Sequence, residues 1–258
     1  MNILVIPDSH ASPNESLKRF DWLGQFIVDR KPDVIVDIGD RADLASLSTY
    51  DKGTKGFEGR RYKHDLKAVH QANNLLESPL LAYNKKRSEN RKKQYKPRKI
   101  MCMGNHEHRI VRACNSAPEM DGFLSYDDLQ YKEHGWEVYD FLDIVEVEGI
   151  LFSHYFVSGV MSRPITGVNA ARNQILKNYK SCVSGHSHLF DYAEDTDPTG
   201  KKIQSLVCGV FVEDNPSWNT DQAYRKWSSG IVMLNNVVDG TYDLERISLK
   251  TLEENYAV

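Results

Sequence analysis

The chain has 258 residues, 40% hydrophobic and 27% charged, with a formal net charge of −3. That length accommodates one large domain or two small ones; a single domain over 1–258 is expected, and the composition excludes a fibrous or wholly disordered chain. No apolar stretch is long enough to span a bilayer, and "MNILVIPDSH" reaches Asp8 without the basic start and long apolar core of a secretory signal, so no membrane association and a cytoplasmic location are expected.

In chain order, "ILVIP" (3–7), "VIVDIG" (34–39), "IMCMG" (100–104), "ILFSH" (150–154) and "SCVSG" (181–185) are short apolar runs that predict buried strands. Between the first two, Leu17, Phe20, Leu23 and Ile27 recur at helical spacing, and Ser12, Pro13 and Glu15 fit a capping-box start. Residues 51–98 interrupt the rhythm. They carry 14 Lys or Arg against 5 Asp or Glu, which leaves 19 basic and 31 acidic residues elsewhere. Leu66, Val69, Asn73, Leu76 and Leu80 predict a helix there, followed by the basic, exposed stretch "NKKRSENRKKQYKPRK", and the whole segment has the character of an insertion between two core strands. Val168, Ala171, Ile175 and Tyr179 predict a further helix. Beyond residue 200, "IQSLVCGVFVED", "GIVMLNN" and "TYDLERISL" are strand-like with no helix evident between them, which favours a mixed sheet system over a purely parallel one. Cys102, Cys114, Cys182 and Cys208 lack paired spacing and are expected to be reduced packing residues.

The ends of the five strand candidates carry the chemistry. "DSH" contributes Asp8 and His10, "GDRAD" contributes Asp40, "GNHEHR" contributes Asn105 and His106, "FSHYF" contributes His154, and "GHSH" contributes His186 and His188. In an α/β sheet the carboxyl ends of strands gather at one edge, where side chains distant in sequence converge. A dinuclear metal centre needs such convergence, because two cations about 3.5–4 Å apart require a shared carboxylate and separate ligands for each. The ordinary alternatives are a turn-capping Asp8, a turn at His186 and His188, and a hydrogen-bonded core His154. Arg41 and Arg109 are more often salt-bridge partners than phosphate ligands, Glu107 and His108 are expected behind the site or at the surface, and His64, His70 and His134 match no pattern.

The ordered set "DSH", "GD", "GNHE", an isolated His after a strand, and "GHSH" over residues 8–188 resembles the calcineurin-like metallophosphoesterases. The resemblance implies an α/β fold: a β-sandwich of two mixed sheets flanked by helices, here with a basic, partly helical insertion. It implies that Asp8, His10 and His188 bind one metal, that Asp40 bridges both, and that Asn105, His154 and His186 bind the second. His106 would face the substrate. Three departures stand out: Arg41 follows "GD" where many relatives have an apolar residue, the glycine that often comes a few positions later is missing, and His154 is followed by tyrosine rather than glycine.

A centre of this kind hydrolyses phosphate esters. Two cations offset the charge that spreads over the phosphoryl oxygens, a water shared between them becomes the in-line nucleophile, and His106 is the natural general acid for the leaving oxygen. Mixed carboxylate, imidazole and carboxamide ligands suit Mn²⁺, Fe, Zn²⁺ or Ni²⁺ better than Ca²⁺, with Mn²⁺ favoured. The cationic 51–98 segment points to a nucleic-acid or nucleotide phosphate as substrate, Lys85, Lys86, Arg87, Arg91, Lys92, Lys93, Lys96 and Arg98 holding a polyanion beside the metals; a solvated loop is the plain alternative. "GNHEHR" suggests a Ser/Thr protein phosphatase instead, and a nucleic-acid-binding module with an inactive metal site is the non-enzymatic alternative.

Overall fold

In the first strand the two faces of the pleat are already assigned. Ile3 and Val5 point into one apolar cluster and Leu4 and Ile6 into another, the period-2 alternation of a strand buried on both sides. The computed structural model describes residues 1–213 and 222–257. Its elements run β1 (Ile3–Ile6), α1 (Lys18–Arg30), β2 (Val34–Asp37), α2 (Tyr62–Glu89), β3 (Arg98–Cys102), α3 (Arg109–Ser116), β4 (Glu137–Tyr139), β5 (Val145–Val147), β6 (Ile150–Phe152), β7 (Val157–Ser158), β8 (Arg163–Pro164), α4 (Ala170–Asn178), β9 (Ser181–Ser184), β10 (Phe190–Thr196), β11 (Lys202–Cys208), β12 (Gly230–Val238), β13 (Thr241–Ser248) and α5 (Leu249–Tyr256).

Two main sheets result, with strand orders β13-β12-β1-β2-β3-β4 and β10-β11-β9-β6-β5; β7 and β8 form a separate hairpin. Both main sheets are mixed. In the first, β1, β2, β3 and β4 are parallel, β12 runs antiparallel to β1, and β13 runs antiparallel to β12; in the second, β6, β9 and β11 are parallel while β5 and β10 run antiparallel to them. The sandwich interior is apolar and draws on both: Ile3, Val5, Val36 and Ile100 from one sheet meet Val147, Ile150, Phe152, Val183 and Leu206 from the other. Phe20, Leu23 and Ile27 of α1, Val69 and Leu76 of α2 and Leu252 of α5 cover the outer face of the first sheet. Ala170 and Ala171 of α4 pack on Val207 of the second. The cysteines are free, and all but Cys114 are buried.

Several sequence expectations shift. The helix α1 begins at Lys18 with Leu17 as a cap that has no side-chain hydrogen bond, so Ser12 and Glu15 form a separate turn (Glu15 N to Ser12 O, 3.3 Å) instead of a capping box. Arg19, 1% exposed, anchors that entry by donating to the carbonyls of Ser9, Ser16 and Phe211. Val168 and Tyr179 lie outside α4 and are exposed, whereas Ala170, Gln174 and Ile175 face inward. The "IQSLVCGVFVED" run is a strand only through Cys208, and its last residue, Asp214, lies outside the described residues. The helix α5 starts on the last residue of "TYDLERISL" with a cap of its own: Ser248 Oγ accepts from Thr251 N (3.1 Å), and Leu249 and Leu252 are buried one turn apart.

The 51–98 segment is partly helical, as expected, and α2 is the crossover that returns the chain from β2 to the parallel β3. At about 1.5 Å per residue its 28 residues span roughly 40 Å. Its first turn is tied to the carboxyl end of the sheet, where Asp65 accepts from Ser46 N (3.0 Å). Its last turns lie at the opposite edge: Tyr95, paired with Asn84 (2.8 Å), donates its hydroxyl to Pro32 O, and Arg98 N donates to Asp33 O (3.1 Å), just ahead of β2.

Candidate active site

The predicted strands stop short of the polar residues that follow them, so Asp8, Asp40, Asn105, His154 and His186 all stand on loops at the carboxyl ends of β1, β2, β3, β6 and β9. These loops are bonded to one another. Asp40 O accepts from Ser9 N (3.2 Å) and His10 N (2.9 Å), His106 N donates to Asp40 Oδ1 (2.8 Å), Gly185 N donates to His154 O (2.9 Å), and His186 N donates to Asp8 Oδ2 (3.0 Å). Close approach excludes side chains at two glycines: a Cβ on Gly104 would lie 2.1 Å from Asp40 Oδ1, and one on Gly185 would lie 2.2 Å from Asp8 Oδ1. Gly104 is therefore required by crowding at the carboxylate.

Seven residues predicted as ligands converge. Asp8, His10 and His188 form one group with ligand atoms within 4.8 Å of one another; Asp40, His154 and His186 form a second. Asn105 joins the second through its Oδ1, 2.9 Å from His154 Nε2. His10, Asp40 and His106 form a third group between them. His186 and His188 stand two residues apart, yet both have left-handed backbones (φ 68° and 60°), and their side chains diverge. His188 faces His10 (Nε2 to Nε2, 3.0 Å) and Asp8 (3.3 Å), whereas the His186 ring lies 5.3 Å from that of His154. His10 and Asp40 also have positive φ, 40° and 53°. Left-handed backbone at a non-glycine residue costs on the order of 1 kcal/mol or more, and its concentration here is typical of functional loops.

The donor atoms fit a cation. His154 Nδ1 faces the carbonyl of Ile38 (2.9 Å), which fixes the ring and turns Nε2 toward Asn105 Oδ1 and Asp40 Oδ2 (3.4 Å). A ring nitrogen aimed at two oxygen acceptors is satisfied by a shared proton or by a metal ion, and the carbonyl behind the other nitrogen is the usual support of a metal-ligating histidine.

The electrostatics agree. Burial opposes ionisation of Asp40, but the adjacent His154, His106 and His10 hold its carboxyl well below the usual carboxylate range; Asp8 is lowered in the same way, mainly against burial by His188 and His154. Burial pushes His186 down to about 4 and, with no sufficient counter-charge, also lowers His10. His106 moves the other way: burial works against its charged form, yet Asp40 and Asp43 push it up to about 9.

Asp43 was missed from the sequence, although "GDRAD" contains it three residues after Asp40. Its Oδ1 lies 3.1 Å from His106 Nδ1 and 3.5 Å from His10 Nδ1, and its carbonyl lies 2.8 Å from His106 Nδ1. Arg109 donates to that carbonyl (2.7 Å) and lies 3.2 Å from His106 Nε2. Arg41 is fully buried: it bonds Asp37 (Nε to Oδ2, 2.9 Å) and Asn73 (3.1 Å) and stacks over Trp136 at 4.2 Å, a structural role. His108 lies 3.1 Å from the Tyr126 hydroxyl and stacks on Phe141 beside the site. His70 lies against Asp128 O (2.7 Å), away from the ligand groups.

The calcineurin-like phosphoesterase family model matches residues 1–199, and the chain belongs to that family. It is a metal-dependent phosphoesterase. Among curated proteins, none matches the chain significantly in sequence. Two solved structures align over most of its length: Yfce, a phosphoesterase from E. coli (13% identity, 96% of this chain and 100% of that one, TM-score 0.38), and a conserved uncharacterized protein from Streptococcus pneumoniae TIGR4 described as a predicted phosphoesterase (10% identity, 95% and 97%, TM-score 0.32). Likenesses that distant carry no argument about activity. Among the described residues, no helix is long and apolar enough to cross a membrane.

Proposed function

We propose that this chain hydrolyses phosphate esters at a dinuclear centre, with Asp8, His10 and His188 holding one cation, Asn105, His154 and His186 the other, and Asp40 shared. Mn²⁺ is the favoured activator, with Fe, Zn²⁺ or Ni²⁺ able to replace it. The observation that carries the reading is that Asp40 is grouped with His154 and His186 on one side and with His10 on the other, next to the Asp8–His10–His188 group, the ligand atoms of each group lying within 4.8 Å of one another. When bound, two such ions supply an activated water and positive charge against the phosphoryl oxygens.

The protein's own groups do the rest. His106 has Nδ1 engaged by Asp43, which with Asp40 favours its charged form in the metal-free protein; Arg109 Nη2, 3.2 Å from Nε2, can only donate, so it must give way when Nε2 carries the proton to the departing oxygen. Asp43 sets the ring's orientation, and Arg109 steadies the Asp43 backbone from the other side. Asp40 N–H, held by Glu107 at 2.9 Å, and Asp40 Oδ1, held by His106 N–H, keep the shared carboxylate aimed at both donor groups. A nucleic-acid or nucleotide substrate loses its original support, because Lys85 to Lys96 lie at the amino edge of the strands, across the sheet from these groups. A substrate whose phosphoryl group alone enters the site is the better match.

The test is metal analysis coupled to turnover. Chelated protein reconstituted with Mn²⁺ should bind two equivalents per chain and hydrolyse an aryl phosphate; Asp40→Asn should impair both sites and His188→Ala mainly one. Fewer than one equivalent, with no turnover, overturns the reading. Comparison of monoesters, diesters and a phosphoserine peptide then separates phosphatase, phosphodiesterase and protein-phosphatase activity.

A further inference from the structure

Behind the proposed ligands lies a buried carboxylate that touches none of the atoms meant for metal or substrate. Glu107 is fully buried. Its Oε2 accepts from Asp40 N (2.9 Å) and Gly104 N (3.0 Å), and its Oε1 accepts from Ala42 N (2.8 Å) and the Tyr131 hydroxyl (3.2 Å). Two of those amides belong to the loop after β2 and one to the loop after β3. The side chain is thus a clamp between the loop that carries Asp40 and the loop that carries Asn105 and His106.

Its chemistry is specific. Four donors converge on two oxygens, and only an ionised carboxylate accepts at both ends without presenting a hydrogen of its own. A glutamine must turn its NH₂ toward a backbone N–H at one end, and an aspartate is one methylene short of the span. The location is also expensive: the carboxylate is removed from water in the company of Asp37 and Asp40, and among the described residues no cationic side chain is hydrogen-bonded to it. Fold stability alone gives no reason to retain a charge there. Holding Asp40 in its left-handed conformation (φ 53°), with its amide captured and its carboxylate against His106 N–H, does give one.

We propose that Glu107 is a positioning residue that locks the Asp40 loop to the Asn105–His106 loop, so that the shared carboxylate, the carboxamide ligand and the proton-transferring imidazole are pre-set as one unit. The inference rests on the dinuclear reading for its functional consequence, but the clamp itself is testable without metal.

In chelator-treated full-length protein, Glu107→Gln should accelerate amide hydrogen exchange in peptides covering residues 38–44 and 103–108 at least tenfold while leaving the β12–β13 hairpin unchanged. In Mn²⁺ titrations followed by calorimetry, the same variant should bind about 10–100-fold more weakly, the scale of losing a partner behind a ligand shell. Tyr131→Phe removes one of the four donors and should have a small effect on both readouts. Leu76→Ala, a buried truncation on α2, lowers the melting temperature without touching either loop and should retain wild-type Mn²⁺ affinity. Should Glu107→Gln fail to fold, Ala42→Pro, which removes one of the captured N–H groups, carries the same two measurements. Unchanged exchange in the two loops overturns the clamp. Unchanged Mn²⁺ affinity with faster exchange overturns its positioning role, and a wild type that binds no Mn²⁺ while the exchange arm succeeds overturns the dinuclear reading instead.

Discussion

The two edges of the first sheet carry charge in opposite ways. At the carboxyl edge Asp8, His10, Asp40 and His154 are at most 2% exposed, several with left-handed backbone, and their loops are cross-bonded. At the amino edge Lys85, Lys86, Arg91, Lys92, Lys93 and Lys96 are exposed, and Arg98 is spent on a surface pair with Glu137 (2.7 Å). The dense run of charge that dominated the sequence costs little to solvate, whereas the sparse polar residues at strand ends cost much to bury. Function is expected where the fold has accepted that cost.

The comparison breaks most visibly at His106. Replacing it with alanine should slow hydrolysis of an alkyl phosphate with a poor leaving group by about 10²–10⁴-fold and an activated nitrophenyl ester far less, with metal content unchanged. Equal losses on both esters, or an emptied site, would show that the ring is a structural or ligand histidine. A smaller effect is expected one step back. Asp43→Asn should lower kcat by about 10–100-fold, the usual cost of removing a residue that orients an active group, and should move the alkaline limb of the pH profile to lower pH, because the carboxylate that raises His106 is gone. An unmoved limb would mean that Asp43 does not govern the proton-transferring group.

A third measurement needs no substrate. In metal-free protein His106 sits at about 9, above the 6.5 of an unperturbed imidazole, so the stability from Asp40 and Asp43 is complete below about pH 6.5 and is lost as pH rises through 9. His186, lowered to about 4, acts oppositely: folding gains stability from it as pH rises from 4 through 6.5. Melting temperatures of chelated protein should therefore peak near neutrality and fall toward pH 9, and His106→Gln should flatten the alkaline fall; a fall of undiminished size in that variant would assign it to other groups. The smallest effect belongs to the amino edge. Replacing Lys92, Lys93 and Lys96 with serine should change stability by no more than about 0.5 kcal/mol, and the Michaelis constant for an oligonucleotide should stay within twofold of wild type. A steep, salt-dependent rise in that constant would bring the basic run back into substrate binding.

The sequence by itself determined the local elements and the inventory of the site. Apolar runs of four or five residues ending in Asp, Asn or His specify buried strands with polar exits, since burial favours the run and penalises its continuation through a charge. Five such exits in order sufficed to identify the ligand candidates and the family to which they belong. Asp43 and the start of α5 were within reach of the same reasoning, through the spacing after Asp40 and the Ser248 cap. Other features were decided only in three dimensions. Whether His186 and His188 act together or diverge depends on two left-handed residues whose conformation is imposed by Asp8 and Ser228, partners some 180 and 40 residues away in the chain. The side of the sheet on which the basic run falls depends on α2 being a long crossover that carries it to the far edge, which composition does not encode. Glu107 looked like one more acid in a polar motif; its role exists only because Asp40, Ala42, Gly104 and Tyr131 are brought within hydrogen-bonding reach of one carboxylate by the packing of parallel strands. Side-chain type is a local property, but a buried charge acquires its function from the donors that the tertiary fold gathers around it.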